Sequence, residues 1–129
     1  IGNARIVTFV LDTRKTDAPD YEAVFEEMID LAGSLMVTLL KRQYSVGLYT
    51  PERSLECAKG TAQEQHILDC LARINPVDAS SYPDFDVRVR RLHSEAVRVI
   101  GMTPDISLWG TADSLSGVSV LDPGSVVYA

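Results

Sequence analysis

The sequence predicts a three-layer α/β domain, in which a mostly parallel sheet carries helices on both faces. Three observations predict it. Residues 6–11, IVTFVL, are almost continuously apolar and β-branched, the signature of a strand buried on both sides. Residues 20–42 carry apolar side chains at helical spacing over more than five turns. Strand-type and helix-type segments then alternate along the chain, which implies crossover connections and a parallel sheet.

Taken in order, the first strand ends at Asp12, and a polar loop follows, Thr13 to Asp20. The long helix buries Tyr21, Val24, Phe25, Met28, Leu31, Ala32, Leu35, Met36 and Leu39 on one broad face. Its acids (Glu22, Glu26, Glu27, Asp30) come early and its bases (Lys41, Arg42) last, an order that complements the helix dipole. Tyr44 to Thr50 reads as a second strand, PERS as a turn, and Leu55 to Ala58 as a short edge partner. Thr61 and Glu64 have capping-box spacing, which predicts Thr61 as the N-cap of a helix. That helix places Ile67, Leu68, Leu71 and Ile74 on its inner face and stops before Pro76. NPVDASSYPD is a loop. A third helix is expected from Asp84 to about Ile100, capped by Gly101, and a fourth strand from Ile106 to Trp109. The last residues, VSVLDPGSVVYA, predict two short strands about an Asp-Pro-Gly turn.

A length of 129 residues predicts a single domain, 1–129, and with a start at Ile1 the expectation is a fragment of a longer protein. The net charge of -6, from 12 basic and 18 acidic side chains, argues against non-specific binding to nucleic acid or anionic lipid. Two cysteines are too few for a disulfide scaffold and suit a reducing compartment. The longest apolar stretch, Leu31 to Leu40, is far short of a membrane span.

The strand ending in aspartate, the threonine-containing loop and the long helix resemble the von Willebrand factor A fold, a three-layer Rossmann-like architecture. VLDTRKTDAPDYEAVFEEMIDLAGSLMVTLLKRQYSVGLYTPE, followed by HILDCLARINP, is similar to the bacterial domain-of-unknown-function fifty-eight family, over about Ile6 to Pro76. Beyond Asp84 the likeness fades, and the C-terminal part falls short of a complete domain of this type. The resemblance implies a protein-interaction module in a membrane-associated bacterial protein. The membrane helices are expected before Ile1, and the fragment on the cytoplasmic side. The partner it implies is a MoxR-type AAA ATPase. It supplies no reaction.

Domains of this type hold Mg²⁺ through an Asp-x-Ser-x-Ser loop, a threonine from a second loop and an aspartate from a third. Mg²⁺ demands a small octahedral set of oxygens, including one or two carboxylates. Here the first loop reads Asp12-Thr13-Arg14-Lys15-Thr16. Asp12 matches, and Thr16 can replace the second serine. Arg14 stands where the first serine belongs and offers a permanent charge instead of an oxygen. Thr61 and Asp113 match the second and third loops. The pattern implies Mg²⁺ as cofactor, but its damaged chemistry predicts a degenerate loop with no metal, in which Asp12 pairs with Arg14 or Lys15 or accepts backbone N–H bonds near the helix start.

Other constellations are weaker. His66 and Cys70 are four apart on one helix face and could share a zinc ion with Cys57. There is no C-x-x-C, however, and the fourth ligand would have to be His93 or an acid, so the bland reading of a half-exposed histidine and two ordinary thiols is preferred. Arg88, Arg91 and Arg98, flanked by Arg90, form a basic helical stripe that suits a solvated face or an acidic partner. No nucleophile elbow, Walker loop or dinucleotide fingerprint is present. The reading is a non-catalytic protein-binding module. The alternative is a small metal-dependent hydrolase using Asp12, Asp17 and Asp113.

Overall fold

The computed structural model of the chain describes residues 5–95, 98–109 and 119–121. The elements are β1 (Ile6–Leu11), β2 (Arg14–Lys15), α1 (Tyr21–Lys41), β3 (Ser45–Tyr49), β4 (Ser54–Ala58), α2 (Gly60–Ala72), β5 (Val77–Asp78), α3 (Phe85–Glu95), β6 (Val99–Met102) and β7 (Ser119–Leu121). Among the described residues five strands form one open sheet in the order β4-β3-β1-β6-β7. β1 lies parallel to both β3 and β6, β6 is parallel to β7, and only the edge strand β4 is antiparallel. β2 and β5 form a separate two-residue parallel ladder.

Alternation along β1 divides the core. Val7, Phe9 and Leu11 face α1 and α2, together with Val46, Leu48, Met28, Met36 and Ile67. Val10 points the other way, into a second cluster of Phe85, Val89, Val99 and Trp109. The sheet is thus covered on both faces, which is why IVTFVL has no polar face. None of the helices among the described residues is long and apolar enough to cross a membrane.

α1 starts after Asp20 and stops when Gln43 turns into the left-handed region at φ 69°. β3 and β4 join through a register shift between Val46 and Leu48. The buried Gln63 of α2 ties that irregularity down, donating to the carbonyls of Val46 (2.7 Å) and Glu56 (2.9 Å). Gly47 sits inside it. A Cβ there would lie 2.8 Å from Cys57 Sγ and 2.9 Å from the Leu55 carbonyl oxygen. The thiol can turn aside but the backbone oxygen cannot. Gly47→Ala is therefore expected to destabilise the domain by about 1–3 kcal/mol, read from the midpoint of urea unfolding.

Several expectations are corrected. α2 begins at Gly60, whose φ of +90° suits glycine, so Thr61 already lies in the first turn. The N-cap is Lys59, which makes no side-chain cap bond, and the capping box does not form. Leu68 is 40% exposed, while Ile67 and Leu71 face the core. The third helix ends at Glu95, and Val99–Met102 is a strand. Pairing with β1 buries Val99 and Met102, a tertiary gain that overrides the helical spacing of Val89, Leu92 and Ile100. Gly101 is accordingly a strand residue and not a helix cap. Ile106–Trp109 is a 3₁₀ turn, because Thr103 Oγ1 accepts from Asp105 N (3.2 Å) and curls the chain immediately after β6. The expected loop at 75–84 also contains β5 and a 3₁₀ turn at Ala79–Ser81. Of the two C-terminal strands, one is seen as β7, and the Asp-Pro-Gly turn lies outside the described residues.

Candidate binding surface at the carboxyl edge of the sheet

β1 delivers Asp12 to the carboxyl edge of the parallel strands, where its backbone N–H still donates to Met102 O (2.9 Å). Its carboxylate is fully buried. The Arg14 guanidinium grips it in bidentate fashion, with Nε on Oδ1 at 2.9 Å and Nη2 on Oδ2 at 2.7 Å. Arg14 N adds a bond to Oδ1 (3.1 Å), and the Trp109 indole N–H donates to Oδ2. Arg14 Nη2 also bonds Asp86 Oδ1 at 2.6 Å, and its charge rests 5.2 Å from the centroid of the Phe85 ring.

The backbone also holds Arg14 in place. β2 pairs Arg14 with Val77, and Val77 N donates to Thr13 O at 2.8 Å. Burial works to lower the Arg14 pKa, but Asp12 and Asp86 more than offset it and hold it above its ordinary value. The chemical consequence is that Asp12 spends its acceptor capacity on protein donors. Arg14 fills the place a cation would take at this carboxylate.

The rest of the loop is bonded as well. Thr16 Oγ1 donates to Asp105 Oδ2 (2.9 Å) and accepts from Ala18 N (3.3 Å). The buried Tyr21 donates its phenol proton to Thr13 O at 3.1 Å. Burial first, then the charges of Asp12 and Asp105, push the Tyr21 pKa well above its ordinary 10.0. Its folded pKa is raised, so its contribution is complete below pH 10 and is lost as the pH rises further. Stability should therefore fall above pH 10, by up to about 1.4 kcal/mol per pH unit, and Tyr21→Phe should flatten that fall in a melting series.

The sequence pattern is thus partly assembled. Asp12, Arg14 and Thr16 share one edge, as expected. Thr61 does not join them. It lies beside Leu40, Lys41 and Gln43 at the far end of α1, about 30 Å of helix away. Asp113 lies outside the described residues. Asp17 is exposed in the loop whereas Asp12 is buried, so the two do not make a carboxylate pair. Among the described residues no group of three or more His, Cys, Asp and Glu is placed to hold a metal ion. Cys57 Sγ is directed at Val7 O (3.6 Å) on the sheet, Cys70 is buried on the inner face of α2, and His66 is exposed.

The basic stripe breaks up too. Arg88 is half-buried against the rings of Tyr49 and Phe85, with Nη2 on Pro51 O at 3.3 Å. Arg98 follows the end of α3 and is not on that helix.

Sequence reasoning missed Asp86, Asp105, Phe85 and Trp109 at this edge. Asp105 had a findable signal, since Thr103-Pro104-Asp105 directly follows a run of apolar residues. Reading that run as the end of a helix hid it. Asp86 reaches Arg14 from 72 residues away and Trp109 reaches Asp12 from 97, and no local pattern reports this. No family model, no curated protein and no solved structure matches the chain.

Proposed function

We propose that the chain is a von Willebrand A-like, non-catalytic protein-binding module with a degenerate metal-ion-dependent adhesion loop, carried by a membrane-associated bacterial protein. One observation carries the reading: both oxygens of Asp12 are engaged by Arg14 and Trp109 in a buried site. A metal-dependent adhesion or hydrolytic site needs that carboxylate open to an ion. A mostly parallel sheet with a polar loop at the carboxyl end of its central strand agrees with the architecture that the resemblance implies. Contact with a partner then falls to the exposed rim of the loop, Lys15, Asp17 and Asp20. The partner class is a MoxR-type AAA ATPase, met on the cytoplasmic side of the membrane.

The test has two arms. Titration with Mg²⁺, Mn²⁺ and Ca²⁺ should leave the melting temperature unchanged. A saturable rise that Asp12→Asn removes would instead favour the hydrolase reading through Asp12, Asp17 and Asp113. In the second arm, a purified MoxR-type ATPase from the same genome should bind the chain equally with and without EDTA, and Lys15→Glu/Asp17→Lys should weaken it. Binding that EDTA abolishes would overturn the metal-free reading, and no binding would remove this partner.

A further inference from the structure

On the face of the domain away from α3, α1 and α2 leave a hollow of about 600 Å³ between them, walled by Ile29, Val37, Leu68 and Leu71, with the exposed Asp30 and Thr38 on its rim. Leu68 stands 40% exposed on its wall, one of two large apolar side chains in that condition among the described residues. At the α1 side of the hollow lie Gly33 and Ser34. Glycine inside a helix is unfavourable relative to alanine, and the chain's own packing does not require it here. A Cβ at Gly33 would meet only the tip of Leu71, at 3.4 Å, which is ordinary contact. Two small residues at the middle of a 21-residue helix let another helix approach closely.

The charges on the same stripe select the occupant. Glu27 precedes Ser34 by seven residues and Lys41 follows it by seven, while Asp30 precedes it by four and Thr38, a hydroxyl, follows it by four. Fourteen residues are close to four turns, so Glu27, Ser34 and Lys41 share one face, with the Glu27 and Lys41 charges about 10 Å on either side of Ser34. Both are exposed, and neither makes an ion pair among the described residues. Turned end for end about Ser34, α1 presents Lys41 to the Glu27 of another copy and Glu27 to its Lys41. We propose that this face pairs two copies of the chain antiparallel across Ser34, with Leu68 of each filling the apolar hollow of the other. A two-fold contact of this kind must be self-complementary, and equal spacing of opposite charges about one small residue meets that demand. A foreign helix would call for complementary charge of its own but not for this symmetry. The matched pairs also offset the repulsion between two chains of net charge -6. The inference does not depend on the loop reading above.

Sedimentation equilibrium of the chain from about 10 μM to 1 mM tests it, with melting curves to verify each variant's fold. Wild type should show reversible dimerisation that weakens with added salt. Leu68→Glu should weaken it at least about tenfold without lowering the melting temperature. Glu27→Lys and Lys41→Glu should each weaken it about tenfold, because either change makes two like-charge contacts, and the double exchange Glu27→Lys/Lys41→Glu should restore it. A wild type that stays monomeric at 1 mM overturns the proposal and leaves this face to another kind of partner. So does a double exchange that fails to restore pairing in a folded protein, or a Gly33→Leu variant that fills the hollow and still dimerises as wild type.

Discussion

Arg14→Met destabilises the domain by about 3–5 kcal/mol, the expected cost of stranding a buried charge. The substitution keeps an apolar side chain of similar length over Phe85 but leaves the Asp12 carboxylate, fully buried, with only Trp109 and one backbone N–H as donors. Water cannot replace the guanidinium without opening the contact between β2 and β5. Asp86 suffers less, because its side chain is 30% exposed and can turn to solvent. The second variant, Asp12→Asn/Arg14→Met, removes both charges while the amide oxygen still accepts from Trp109. It should recover more than half of the loss, since a buried pair replaced as a pair is often close to neutral. Chemical denaturation of the two single variants and the double variant gives the coupling directly. Additive losses would show that the two side chains act independently, and the description of Asp12 as sealed by Arg14 would fail.

That coupling was half legible in the sequence. Asp12 at the end of an apolar run, followed two residues later by arginine, is a local pattern, and its pairing follows from charge and proximity. The long helix, the β3–β4 hairpin and the parallel pairing of β1 with β3 were legible for the same reason: periodicity, turn residues and burial all point one way there. The signal fails where tertiary pairing decides. Val99 to Met102 carry apolar residues that a helix or a strand could use, and only the open edge of β1 selects the strand. Trp109 likewise reads as the end of a strand until its indole is seen on Asp12. Thr61 misled in the opposite direction, because a capping-box spacing is local and Gly60, one residue earlier, had already started the helix.

Phe85→Ala carries the other large effect, about 3–5 kcal/mol. The ring is fully buried and begins α3, so that one turn of backbone supplies both the ring beneath Arg14 and, through Asp86, its second carboxylate. It stacks on Tyr49 with centroids 5.9 Å apart and takes Arg88 over its ring at 6.0 Å. Truncation opens a cavity in the smaller of the two cores, where Val10, Val89, Val99 and Trp109 have little room to close it. Phe85→Leu separates the contributions. Leucine refills most of the volume but offers no π face, so its residual deficit sums the aromatic contacts with Arg14, Arg88 and Tyr49, of which the Arg14 share is expected at about 0.5–2 kcal/mol. In an Arg14→Met background that residue of the deficit should shrink, since no cation remains above the ring at that position. An unchanged deficit would mean that the ring contributes nothing through Arg14, which is then held by its two carboxylates and the β2–β5 pairing.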